Sequence, residues 1–442
     1  MGVNGHPAAH TPNLDRLAAE GVNFTHAFCP IAVCMPARTS LMTGLYATQH
    51  GCLVNDGVEG YRPARRDLPT FSHVLRSAGY TLGHVGKWGI AFEDAPATLG
   101  FDDYVPAAAY RTWRTAQGAP PPPRTNTWFG ETDSGVTPEQ SAPGWGADQT
   151  IQLLTKYAEA GRPFFLRWDP DEPHLPSCPP EPFASLIKPH DIPPWPSFPD
   201  SLEGKPAIQR QQLRSWGIEG WTWAQWAPVV ARYLAVVALI DHQVGRILAA
   251  LEQLGLTEQT LVVYTSDHGD LCGAHGMMDK HYVMYEDVMR VPLIMRWPER
   301  LPVGRTDETF VTAALDLATT FCRAAGIEPP PSFEGHDLIA RANGGSAERN
   351  AVFGSYHGAQ FGAYSQRMVR TRTWKYIWNP TAEDELYDLT TDRGELHNRA
   401  GEPGCREPLQ TLRSDLAAWM ATTHDPLLNE WTRRQLMRGQ KC

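Results

Sequence analysis

The 442-residue chain lacks several features, and each absence narrows what it can be. No apolar run reaches the roughly 18 residues of a membrane-spanning helix. The best candidate, Val229 to Ile240, carries Arg232 and reads as a core helix. The eight cysteines (positions 29, 34, 52, 178, 272, 322, 405 and 442) contain no Cys-x-x-Cys pair and no short framework spacing, which points to a reducing compartment. The opening residues, Met1 to Gly5, have no basic start and no apolar stretch, so no secretory signal is expected and the expected location is cytoplasmic. Positive charge is also short: 39 Lys and Arg against 49 Asp and Glu give a net charge of −10. That balance argues against a nucleic-acid or anionic-membrane partner, and any site for an anion must be locally positive. No internal repeat is found.

What is present describes a soluble globular protein: 42% hydrophobic and 20% charged residues, with length for two or three domains. Proline is as common as glycine, 38 of each, and clusters at Pro120 to Pro123 and between Pro170 and Pro206, which implies long ordered loops. Thr11-Pro12 opens a helix stopped by Gly21. Leu68 to Ala78 and Ala147 to Ala160 read as helices, and Pro228 to Leu254 as the longest, with Pro228 in its first turn. Short apolar strands fall at Val22 to Phe28, Tyr80 to Lys87, Pro163 to Trp168, Thr260 to Ser266 and Val291 to Trp297, while residues 90 to 146 read as an irregular insertion. Helix and strand alternate, which implies an α/β fold with a mostly parallel sheet sandwiched by helices. After about Gly344 short strands with tight connections and a helix over 406 to 421 imply a small antiparallel sheet plus helix. The expected division is a catalytic domain over 1–344 and a C-terminal α+β subdomain over 345–442.

In such sheets ligands bind beyond the carboxyl ends of the strands. Three polar clusters sit at strand ends: Lys87, His174, and Asp267 with His268. A fourth feature is Cys34-Met35-Pro36-Ala37-Arg38. Pro36 suits a first helical turn and Gly44 a helix end, which puts Cys34 at the positive end of the helix dipole with Arg38 one turn on. Taken alone, each element has a plain structural reading. Cys34 equally suits a buried structural cysteine, Lys87 and Lys280 suit solvated lysines, Asp267-His268-Gly269 suits a cap with a hydrogen-bonded His, and His174 suits an incidental place in a rigid loop.

Together the segments resemble the type I sulfatases, members of the alkaline-phosphatase-like superfamily. Cys34 to Arg38 matches their Cys-x-Pro-x-Arg signature, Gly86-Lys87 their Gly-Lys-x-His motif, and Pro173-His174-Leu175-Pro176 their Pro-His-x-Pro loop. Ser266 to Gly276 with Asp279-Lys280 resembles their metal segment and active-site lysine. The resemblance implies that Cys34 is oxidised by a maturase to formylglycine, whose hydrate attacks a sulfate ester. It implies that Arg38 and Lys87 bind the sulfuryl oxygens, and that His174 and Lys280 assist the leaving alcohol. Asp267, His268 and the Cys34-derived oxygen would hold a divalent cation, calcium first, with magnesium or manganese as alternatives. His275 is given no ligand role. The expected substrate is a small-molecule or saccharide sulfate ester.

The chain departs from the pattern twice. The family's second His in Gly-Lys-x-His is Gly89 here. The apolar first strand with its acidic metal ligand is missing, so the expectation is that the start is internal to a longer reading frame. Two other functions are open: a phosphonate or phosphate ester hydrolase, with which His268 and a substrate-binding Asn55 are compatible, and a truncated, inactive homologue serving as a binding module.

Overall fold

A computed structural model describes residues 1–92, 96–123, 128–345, 349–358, 360 and 362–439. Parts of the insertion expected over 90 to 146, and Cys442, lie outside them. Near the chain start Pro12–Ala19 forms the expected helix, burying Leu14, Leu17 and Ala18. Three parallel strands form one sheet in the order Asp103–Pro106, Thr81–Gly86, Phe164–Asp169. A second sheet runs Val262–Thr265, Leu293–Arg296, Val22–Phe24, Arg305–Asp307. In it Leu293–Arg296 is antiparallel to both neighbours, while Val22–Phe24 and Arg305–Asp307 are parallel. Helices pack around these sheets, so the α/β class expected from alternation holds.

Some elements differ from the sequence reading. The longest helix is Trp223–Gln253, and Pro228 lies inside it rather than in its first turn. Thr222 and Gln225 form a capping box that starts the helix earlier, and this cap outweighs the proline signal. By length and composition this helix is apolar enough to cross a membrane. Here its apolar positions, among them Trp226, Val230, Leu234 and Leu239, are buried in the fold. The stretch expected to be irregular holds the strand Asp103–Pro106 and the helix Ala109–Ala116. The strand is short and half-exposed, so it has no apolar alternation to read.

The apolar run Pro163 to Trp168 predicts a buried strand, yet every residue of the observed strand Phe164–Asp169 keeps partial exposure, as does every residue of Val262–Thr265. Each is the end strand of its sheet, and no strand among the described residues pairs with the free edge. Between these edges lies a cavity of about 1070 Å³. Apolar side chains such as Leu154, Leu248 and Leu251 line its depth, and Cys34, Arg38 and Asp267 line it at the strand ends.

The C-terminal sheet is an antiparallel meander, Ala351–Gly358, Tyr364–Thr371, Trp374–Trp378 and Glu385–Asp388, backed by the helix Arg406–Thr422. It joins the first part of the fold just before Cys34: Ser355 N–H donates to the Pro30 carbonyl at 3.0 Å. Trp419 stacks on Phe353 and meets Tyr46 edge-on.

Within this unit Arg367 and Asp425 form a two-pronged ion pair with both side chains fully buried. Removing one partner of a buried pair leaves the other charge unpaired. Asp425→Ala should therefore destabilise the protein by roughly 3–5 kcal/mol. The measurement is the midpoint of denaturant unfolding, and a change within error of wild type would show that solvent reaches Arg367.

Candidate active site

The site is built at the start of the helix Cys34–Thr43. Val33, in an extended conformation, precedes it without a side-chain cap, and Asn55 Oδ1 accepts the Met35 N–H at 3.0 Å instead. Asn55 thus gives its side-chain oxygen to the backbone of the Cys34 turn. Gly44, at φ 64°, ends the helix as expected. Thr39 hydrogen-bonds back to Met35 O and receives the Ala91 N–H, which ties the segment after Lys87 to this helix. Both the Cys34 and Arg38 side chains are buried.

Three strand ends deliver the remaining groups. Gly86 pairs with Asp169 in parallel register, and Lys87 N–H continues the ladder to Asp169 O at 2.8 Å. Only glycine fits at Gly86: its φ is 106°, and a Cβ would meet Asp169 O at 2.0 Å. Lys87 Nζ lies 4.0 Å from Cys34 Sγ and 3.9 Å from Asp171 Oδ1. From the end of Val262–Thr265, His268 Nε2 approaches Cys34 Sγ at 3.1 Å, and His268 Nδ1 donates to Gly269 O at 2.8 Å. Asp267 Oδ2 accepts from Arg38 Nε at 2.9 Å. Lys280 Nζ reaches Asp279 Oδ1 at 2.9 Å and His174 Nε2 at 3.3 Å. His174 Nδ1 in turn donates to Leu175 O at 2.9 Å, which fixes the ring with Nε2 toward Lys280.

The structure thus gathers Cys34, Arg38, Lys87, Asp267 and His268 at one point, with the Lys280–His174 pair on a second wall. His275 is elsewhere, buried on Asp200 at 2.7 Å and stacked on Tyr285. Gly89, where the motif would have a histidine, sits at φ 52° with its Cβ direction 3.2 Å from Arg38 Cδ, so a side chain there would be strained and would press on Arg38. The sequence reading missed Asp169 and His281, and named Asp279 beside Lys280 without giving it a role. Asp169 carries the signal that flagged Lys87, a polar residue closing an apolar strand, but Pro170 after it made it look like the loop. Asp279, at φ 64°, bridges Lys280 and His281.

Charge is strongly redistributed. Burial works against a Cys34 thiolate, but the charge and hydrogen bond of His268, with Lys280 behind, outweigh it and bring the thiol down to about 5. Burial likewise opposes ionisation of Asp267, yet His268, Arg38 and Lys87 hold it well below the ordinary carboxylate range. Lys280 is raised despite burial, chiefly by Asp279. Cys34, Asp267 and His268 offer one ligand atom each within 4.8 Å of one another. A carboxylate, an imidazole and a third donor this close fit one face of a divalent ion's shell.

A nucleophile position at a helix start, ringed by fixed cations at strand ends, defines a hydrolase of anionic esters. Family comparison agrees. The sulfatase family model matches residues 1–327, and the model described as N-sulphoglucosamine sulphohydrolase, C-terminal, matches 273–422. An uncharacterized sulfatase of Escherichia coli is 28% identical, with 96% of this chain and 85% of the relative covered. An N-acetylglucosamine-6-O-sulfatase of Bacteroides thetaiotaomicron is 25% identical, with 91% and 80% covered. The solved phosphonate monoester hydrolase of Agrobacterium radiobacter superposes with a TM-score of 0.84 at 24% identity, covering 96% of this chain and 93% of its own. The chain belongs to the sulfatase family, hydrolases that act on sulfate esters.

The low Cys34 value gives a test on unmodified, metal-free protein. The group's pKa is depressed, so the thiolate persists down to about pH 5 and is lost below it. The rate of Cys34 alkylation should rise with a midpoint near pH 5, well below an ordinary thiol. His268→Ala should move that midpoint up, because it removes both the charge and the hydrogen bond.

Proposed function

We propose that this chain hydrolyses a sulfate monoester at Cys34, converted to formylglycine by a maturase, with a divalent cation held by Asp267, His268 and the Cys34-derived oxygen. The observation that carries the reading is Cys34 Sγ at the helix start, 3.1 Å from His268 and 4.0 Å from Lys87. Sγ stands where the formylglycine oxygen would be. The hydrate would supply an oxygen nucleophile, and the cation, calcium first with magnesium or manganese as alternatives, would supply positive charge to the sulfuryl oxygens.

The protein's own groups then divide the work. Arg38 and Lys87 bind the sulfuryl oxygens and hold sulfur over the Cys34 position. Asn55 fixes the first turn of the helix that carries the nucleophile. Lys280 and His174, in contact through Nζ and Nε2, hold the proton that goes to the departing alcohol oxygen. Relatives such as the N-acetylglucosamine-6-O-sulfatase make a saccharide sulfate ester the first substrate class to assay. The alternative, a phosphonate or phosphate ester hydrolase, uses the same groups, and the phosphonate monoester hydrolase fold is its support.

The peptide carrying Cys34 is expected to be lighter than the cysteine form by the thiol-to-aldehyde difference when the protein is made beside a maturase. A fully alkylatable Cys34 in active enzyme would sink the mechanism. Faster turnover of phosphonate than of sulfate esters by the purified protein would favour the alternative.

His174→Ala should slow esters of basic alcohols by about 10²–10⁴-fold while slowing activated aryl esters far less, because a good leaving group needs little protonation. Equal losses on both classes would show that His174 positions substrate instead.

A further inference from the structure

Asp169 lies outside every motif by which the chain resembles its family, yet both its main chain and its side chain fix cations of the site. Its carbonyl accepts the Lys87 N–H at 2.8 Å. Its carboxylate, 11% exposed, takes Arg38 Nη1 at 2.6 Å and Arg167 through two nitrogens at 2.6 and 2.8 Å, with His84 Nε2 at 3.4 Å. Both oxygens are therefore committed to nitrogen donors, so the group has little capacity left to act as a base or bind a metal.

Arg38 shows the complementary pattern. Nε is held by Asp267 and Nη1 by Asp169 and by Lys87 O at 2.9 Å, while Nη2 has no hydrogen-bond partner among the described residues. Arg38 also lines the cavity that Cys34 borders. A guanidinium pinned through two nitrogens cannot turn about its long stem, and the third nitrogen keeps its protons for a ligand. Asp267 is also the carboxylate assigned to the metal, which leaves Asp169, itself steadied by Arg167, as the Arg38 anchor with no second ligand to serve.

We infer that Asp169 is a positioning residue: it holds Arg38 by Nη1 so that Nη2 is presented to an oxygen of the ester's sulfuryl group. This rests on the hydrolase reading above. It adds that the oxyanion-binding arginine is oriented by an acid from a different strand, in register with Gly86.

The test is a double-mutant cycle between Asp169→Asn and Arg38→Ala, with an aryl sulfate as substrate and thermal melting as the folding control. Asp169→Asn should lower kcat/KM roughly 10–100-fold, the scale of an ångström-level misplacement, and mainly through kcat. In the Arg38→Ala background it should cost less than about two-fold more, because the group it orients is gone. Asp169→Glu keeps the buried arginines paired but moves the carboxylate. It guards against misfolding of the Asn variant and should show a smaller, equally non-additive loss. Additive losses in the cycle, or wild-type kcat/KM in folded Asp169→Asn, would overturn the inference. A wild-type protein inactive on sulfate, phosphonate and phosphate esters would instead overturn the hydrolase reading. In that event calorimetric binding of inorganic sulfate still decides on Asp169. Asp169→Asn should weaken it in the wild-type background and leave it unchanged with Arg38→Ala, and equal weakening in both would overturn the assignment.

Discussion

The site depends on one buried guanidinium held between two carboxylates. Arg38 projects from the helix that begins at Cys34, Asp169 ends one sheet's strand, and Asp267 follows the end strand of the other sheet. Those two end strands share no backbone ladder, so this pair of ion pairs is a direct polar tie across the gap that separates them. Exposed ion pairs contribute little to stability, but this arginine is 7% exposed and its partners 11% and 19%. Removing either acid would leave a buried charge facing a cavity. The same geometry sets spacing: it fixes how far the Cys34 helix stands from both strand ends, and therefore where Lys87 and His268 can meet the nucleophile position.

A second buried network holds Lys280 and His174. Lys280 lies within a segment in which Cys272, His275, Asp279 and Tyr282 all adopt left-handed backbone without being glycine, a conformation that tertiary contacts must enforce. Those contacts exist. His275 is fixed by Asp200, Tyr282 donates to Gly362 O, and Asp279 receives both Lys280 and His281, whose Nδ1 meets Tyr356 on the C-terminal sheet. Just beyond, Lys375 of that sheet bridges Glu286 and Glu395. The C-terminal sheet thus braces the loop that carries Lys280.

The legible part of the site was the part written in local pattern. The Cys34 helix could be read because Pro36 and Gly44 are start and stop signals, and strand ends could be read because apolar runs stop at a charge. What required the third dimension was pairing. Nothing local says that Asp169 faces Arg38, 131 positions away, or that Asn55 caps Met35. The burial of Phe164–Asp169 was misjudged for a related reason. An apolar run reports what a strand would prefer to bury, whereas its exposure depends on what pairs with the next edge. Pro228 shows the reverse error, a strong local signal overridden by an equally local cap six residues earlier, at Thr222.

A chain of net charge −10 still assembles Arg38, Lys87, Lys280 and His268 around one sulfur. The acids nearest them explain how. Asp169, Asp267 and Asp279 are each held ionised by the cations they touch, so burial is offset group by group. Each acid is placed behind a cation rather than beside the Cys34 position it serves: Asp169 behind Arg38, Asp279 behind Lys280. The exception is Asp267, which borders that position and is also the candidate metal ligand. A divalent ion there would replace the carboxylate's local negative charge with net positive charge, and all the groups facing the nucleophile would then favour an oxyanion. The positive site is therefore a matter of layering, with cations inward and acids outward, and an acidic overall composition is what supplies the outer layer.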